Sequence, residues 1–311
     1  MKTIKDAGEV RLLERLARFM PRTSDVIVGI GDDCAVVRSS PDDRRDILLT
    51  SDAVLEGVHF KSGVEPQTLG HKAAGRALSD IAAMGGEPDW LLVNLTLPPR
   101  TSARFIEAFY TGFNRLAHRF GSVAVGGDLS RGTRIAIHVF AIGHVPRGQA
   151  LLRSGARPGD TIFVTGVLGD SLRSGRHLIF EPRLTEGRHL RSRATAAMDI
   201  SDGLATDLRH LCAQSEVGAV LNESAIPVAP SLDRYARRST RLRHALGDGE
   251  DYELLFTVPA NRSQAFLNAW RKKFAMPCTA IGTIVKEKGR IECIGRNGKR
   301  RPLVHAGYAH Y

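Results

Sequence analysis

LGHKAAGRALSDIAAMGGEPDWLLVNLTL, residues 69–97, holds the pattern on which the fold reading turns. Over 69–84 the residues Ala73, Ala74, Ala77, Leu78, Ile81 and Ala82 make much of a helix's circumference apolar, which predicts a buried helix. The run LLVNLTL at 91–97 then predicts a strand. Toward the N-terminus the pattern predicts a helix over 7–20 and strands over 26–30 and 46–51. Toward the C-terminus it predicts a helix over 102–120 and two strands, in SVAVGG and RIAIHVFAIGH. Strands and helices mixed in this order give an α/β or α+β layer structure with mixed sheets. Pro146, Gly148, Gly155, Pro158 and Gly159 punctuate the chain and predict a boundary, dividing it into 1–147 and 148–311. The second unit reads as strands TIFVTG, AMDI, YELLFTV and TAIGTIV with helices over 204–213 and 261–274. The Arg-rich stretch 171–196 yields no clear element.

With 311 residues the chain has room for two domains, and 42% hydrophobic with 25% charged residues excludes wholesale disorder. No run approaches the roughly 18 apolar residues of a membrane span. The start, MKTIKDAGEVRLLERLARFM, is an amphipathic helix without an apolar signal core, so the expected compartment is the cytoplasm. Cys34, Cys212, Cys278 and Cys293 lie far apart and form no CxxC, which favours free thiols over a thiolate metal site. The net charge of +11 raises the question of nucleic acid. The excess base falls in 183–193, 234–243 and 286–301, without interleaved aromatics or a nucleic-acid-binding signature. It reads as a solvated surface, or as an attraction for anionic substrates.

The informative feature is acid at the ends of apolar strands. It recurs in GIGDDCAVV (29–37), TSDAVLEGVHF (50–60), LSDIAAMGG (78–86), VGGDLSRG (125–132) and MDISDGLATDL (198–208). A buried unpaired carboxylate is expensive, so each needs a cation, backbone N–H groups or a metal. A turn or helix cap accounts for Asp33 and Asp202, and fits Asp52, Asp80 and Asp128 badly. Asp80 has a local alternative, pairing with Arg76 one turn back. Carboxylates are hard oxygen ligands of the kind Mg²⁺ takes one or two at a time. Glycines at 29, 31, 126, 127, 166, 169 and 203 would let backbone N–H groups approach phosphates. There is no Walker A motif. The residues alone therefore indicate a Mg²⁺–phosphate enzyme on another scaffold.

These segments, with SGARPGD (154–160), VTGVLGDS (164–171) and GEDYELLFTVP (249–259), resemble in order the thiamine-monophosphate kinase family of the aminoimidazole ribonucleotide synthetase superfamily. The resemblance implies two α/β domains, with the N-terminal one dimerising, and ATP-dependent phosphorylation of thiamine monophosphate. It implies several Mg²⁺ ions on Asp32, Thr50, Ser51, Asp52, Asp80, Asp128, Asp199 and Asp202, with Asp52 and Asp128 most critical. It implies ATP contacts from Gly127, Asp128, Arg153 and Ser201, and substrate contacts from His59 and Glu250. A buried histidine satisfied by its neighbours is the plain alternative for His59. Asp207 and Asp251 read as structural.

Three departures from the family pattern stand out. His305 occupies the place of a substrate-stacking aromatic. Asp248 in GDGEDYE replaces a glycine that could require unusual dihedrals. The stretch between GDS and MDISDG is short. Competing readings are a superfamily synthetase or cyclo-ligase with another small-molecule acceptor, and a non-catalytic basic nucleic-acid-binding protein. No membrane and no nucleic-acid partner is expected.

Overall fold

The structure is a computed structural model that describes residues 9–20 and 23–303. A short helix, α1 (Glu9–Leu16), runs into a 3₁₀ turn at Ala17–Phe19. The first sheet is built from β1 (Val26–Val28), β2 (Ala35–Val37), β3 (Arg45–Leu55), β4 (Glu87–Leu97), β5 (Val123–Arg131) and β6 (Ala136–Pro146). Its strand order is β1-β2-β3-β6-β4-β5, antiparallel except where β5 pairs in parallel with β4. Two helices cover one face: α2 (Pro66–Ala83), begun by a proline in its first turn, and α3 (Ala103–Arg119), capped by the Ser102 side chain.

Period-two alternation decides which face the helices cover. Leu48 and Val54, Leu91, Val93 and Leu95, and Ile137, Val139 and Ala141 are buried against α2 and α3. The opposite face carries three cross-strand rows. They are Leu49–Ile142–Trp90–Val123, Ser51–Phe140–Leu92–Gly126 and Ala53–His138–Asn94–Asp128. No described element covers these rows, and within them Trp90 and Phe140 are 50% and 39% exposed.

The second sheet has the order β13-β12-β9-β11-β7-β10-β8. In chain order its elements are β7 (Thr161–Thr165), α4 (Ser171–Ser174), α5 (Leu184–Leu190), β8 (Ala196–Asp199), α6 (Leu204–Gln214) and β9 (Gly218–Asn222). There follow α7 (Arg238–Gly247), β10 (Leu254–Val258), α8 (Ala260–Lys273), β11 (Cys278–Val285), β12 (Ile291–Ile294) and β13 (Arg300–Pro302). Both faces of its centre are buried, so its strands read as near-continuous apolar runs. Ile162 and Val164 join Leu204, Leu208 and Leu211 in one core, while Phe163 and Phe256 join Phe266 and Trp270 in another. Among the described residues no helix is long and apolar enough to cross a membrane.

The 171–196 stretch is ordered as two short helices rather than left without structure. Much of the basic surface is ion-paired: Arg183 with Glu253, Arg241 with Asp233, and Arg301 with Glu223.

Candidate functional site

Helix α2 lies between the two sheets and carries side chains toward both. Ser79 Oγ donates to Asp199 at the end of β8 (2.6 Å), and Lys72 Nζ donates to Glu250 in the loop before β10 (2.6 Å). On the other side Asp80 accepts from Thr50 Oγ1 of β3 (2.5 Å). The β1–β2 loop then brings Asp33 in, so that carboxylate oxygens of Asp33, Asp80 and Asp199 lie within 4.8 Å of one another.

This group carries more charge than its surroundings neutralise. Burial, then the Asp52 and Asp199 charges, raises the Asp80 carboxyl well above its usual range. The last turn of α2, with its partial negative charge, opposes a carboxylate there as well. Burial and then Asp33 push Asp199 up to about 7. The same two causes push Asp32 to about 7, although the Arg153 N–H donates to it (3.1 and 3.2 Å). Asp33 takes Arg153 Nη2 on one oxygen (2.7 Å), while its other oxygen is shut from solvent without a partner. Clustered, partly unsatisfied hard oxygen donors fit a divalent cation better than they fit one another.

Asp52, on the same inner face of β3, is next to this group but bound to Arg76 Nη2 (3.1 Å). The local pairing of Arg76 with Asp80 does not form, because the guanidinium reaches Asp52 and Glu250 (3.2 Å) instead. Asp33, read from its glycine neighbours as a turn residue, belongs to the cluster. Asp128 departs most from expectation. It is exposed on edge strand β5, in the outer row with Ala53, while Asp52 stands on the inner face. Three strand spacings, about 14 Å, separate the two positions. Gly127 is glycine for a backbone reason: its φ is 153°, and a Cβ would come within 1.9 Å of the Val93 carbonyl oxygen. Ser51 is exposed on the outer face, between the inward Thr50 and Asp52.

A cleft beside the cluster is lined by Val58, His59, Arg76, Leu172, Ser201, Asp202, Asp248, Glu250 and Tyr252. His59 is buried and its Nδ1 accepts the Leu55 N–H (3.0 Å), as expected of a histidine satisfied by its neighbours, while its ring lines the cleft. Glu250 and Tyr252 adopt left-handed backbone (φ 52° and 50°), held by Glu250 N–H to Ser201 O and Tyr252 N–H to Ile200 O. Asp248 carries no such strain: its φ is −67°, and the positive φ falls on Gly249. Asp207 accepts the Asp202 N–H, and Asp251 accepts the Gly169 N–H and Arg176. His305 lies outside the described residues.

Lys72, Arg76 and Tyr252 were not legible as site residues, because their partners are remote in sequence. Lys72 is fully buried, and burial pulls it down to about 8 against the pull of Glu250, with Arg76 opposing and Asp52 supporting its charge. Above that pH Glu250 loses the nearer of its two cations and keeps only Arg76. Activity is therefore expected to fall on an alkaline limb near pH 8. Lys72→Arg, which stays charged, should move that limb upward by more than a unit. Stability has the opposite sign. Between about 8 and the ordinary lysine value the unfolded chain holds more protons, so this group makes stability rise with pH there. A pH–rate profile unchanged by Lys72→Arg would remove Lys72 from the site.

Comparison with known proteins gives the chain's relatives. Residues 31–145 match the family described as AIR synthase related protein, N-terminal domain, and residues 167–294 match its C-terminal domain. The thiamine-monophosphate kinase of Escherichia coli K12 is 36% identical, with 98% of each chain covered. The solved structure of AaThiL complexed with AMPPCP and TMP superposes with a TM-score of 0.86 at 31% identity, covering 100% of this chain and 99% of that one. Thiamine-monophosphate kinase from Stenotrophomonas maltophilia gives 0.75 at 35%, covering 93% and 96%.

Proposed function

The chain belongs to the thiamine-monophosphate kinase family, and on that premise we propose that it passes the γ-phosphoryl group of ATP directly to the phosphate of thiamine monophosphate. The observation that carries the chemistry is the meeting of Asp33, Asp80 and Asp199 beside a cleft walled by Arg76, His59 and Glu250. A phosphate monoester has its second pKa near 6, so the attacking oxygen is already mostly ionised at neutral pH. No protein base is then needed. His59 agrees, since its Nδ1 is engaged by backbone.

The residues we assign to Mg²⁺ are Asp33, Asp80 and Asp199, with Asp32, Thr50, Asp52 and Asp202 from the same chain, and with Ser51 and Asp128 from the sheet's outer face. Bound Mg²⁺ supplies positive charge between two polyanions and stabilises the charge of an in-line transfer. The protein's own part is positional. Thr50 and Ser79 orient the Asp80 and Asp199 carboxylates, and Arg153 holds Asp32 and Asp33. Lys72 fixes Glu250 against the cleft. We assign Gly127, Asp128, Arg153 and Ser201 to ATP, and His59 and Glu250 to the acceptor.

We further infer a homodimer built on 1–147, with 148–311 as the second domain. The first two uncovered rows of the first sheet are mainly apolar, through Leu49, Ile142, Trp90, Val123, Phe140 and Leu92, a face that a second copy would bury, and that pairing would carry Asp128 to the other copy's site. Four free cysteines suit the cytoplasm as the compartment. Incubation with ATP, Mg²⁺ and thiamine monophosphate should yield ADP and thiamine diphosphate in equal amounts. Absence of both products while ATP still binds would overturn the assignment of the acceptor.

A further inference from the structure

We propose that Arg76 recognises the phosphate of the acceptor and so sets the preference for the phosphorylated over the unphosphorylated vitamin. The inference rests on the kinase reading above. Arg76 is one helical turn before Asp80 on α2, so its side chain leans over the same face as the carboxylate cluster. It lines the cleft, where it is the one arginine or lysine among the described lining residues. Three carboxylates, Asp202, Asp248 and Glu250, share that wall. A phosphate entering there meets repulsion from all of them, and Arg76 is the fixed positive charge that can offset it.

The guanidinium is held for this task and is not used up. Nη1 donates to Glu250 and Nη2 to Asp52, two of the five N–H groups an arginine offers. Nε is shut off from solvent and has no partner. The Tyr252 ring lies 6.0 Å from its Cζ, and Phe180 stacks behind that ring at 3.8 Å. Charge and packing thus fix the plane of a fork whose geometry suits a phosphate. The cleft's volume is about 60 Å³. Sites for whole organic ligands run to roughly 300 Å³ or more, so this recess suits the small charged end of the substrate.

The test is calorimetric binding, in Mg²⁺, of thiamine monophosphate and of thiamine to the wild type, Arg76→Ala and Arg76→Lys. The wild type should prefer the phosphorylated ligand by about tenfold or more, the worth of one charged hydrogen-bonded contact. Arg76→Ala should bring that ratio close to unity by weakening thiamine monophosphate alone, while KM for ATP stays where it was. Arg76→Lys keeps the charge without the fork and should fall between, which covers an alanine variant that fails to fold. If Arg76→Ala weakened both ligands equally, Arg76 would only position Glu250 and the proposal would fall. An unchanged ratio in both variants would overturn it too. Wild type that bound neither compound would sink the kinase reading itself, a result distinct from either.

Discussion

Asp52→Asn lowers kcat by at least about a hundredfold, the loss of about 3 kcal/mol of transition-state stabilisation, while the melting temperature holds or rises. Both halves follow from the position of Asp52. Its charge is one of those that raise Asp80 and Asp199, so removing it relieves repulsion in the folded chain. Asparagine keeps an oxygen that can still accept from Arg76, which preserves the contact between α2 and β3. What it cannot keep is the negative charge that makes the position a ligand for a divalent cation. Kinetics across a Mg²⁺ titration, with a thermal melt of the same preparation, separate the two effects. A near-normal kcat at saturating Mg²⁺ would remove Asp52 from the metal assignment. A large drop in melting temperature would instead make its pairing with Arg76 structural.

The first sheet and α2 were legible because their signals are local. The small-residue helix expected over 69–84 is Pro66–Ala83, and the strand expected at 46–51 runs on to Leu55 as its alternation continues through Val54. Helix α7 was read only as basic sequence, since arginines at 238, 241 and 243 mask a weak apolar face. Strands β9, β12 and β13 are three to five residues long, too short for periodicity to register. The site shows the same division. Strand-end aspartates announce themselves by sitting among apolar neighbours. Asp33 does not, since a Gly-Asp-Asp run fits a turn, and only the fold shows its side chain buried beside Asp80 and Asp199. Lys72 and Arg76 meet Glu250 from 178 and 174 residues away, a pairing no local pattern encodes. Asp128 erred in the other direction. Its apolar flanks suggested burial, but Val125 and Leu129 are 56% and 63% exposed on an edge strand, and Asp128 itself stands on the uncovered face.

That face leads to the second large effect. Asp128→Asn should match Asp52→Asn in lost turnover, and yet the two inactive proteins, mixed and allowed to exchange subunits, should recover about a quarter of wild-type activity. Within one chain the two aspartates stand on opposite faces of the sheet, three strands apart. They can serve one reaction centre only if Asp128 comes from another copy. In a two-fold dimer joined through the outer rows, each site would then draw Asp52 from one subunit and Asp128 from the other. A mixed dimer has one site with both substitutions and one with neither. Random exchange makes half the dimers mixed, and half of their sites are intact, which gives the quarter. If both residues acted within a single chain, every site in every mixed dimer would carry a substitution and no activity would return. Trp90→Glu, placing charge in the most apolar of the outer rows, supplies the control: it should yield a monomer by sedimentation and abolish the recovery. Recovery in that monomer, or its absence in the exchanged wild-type interface, would place Asp128 outside the shared site.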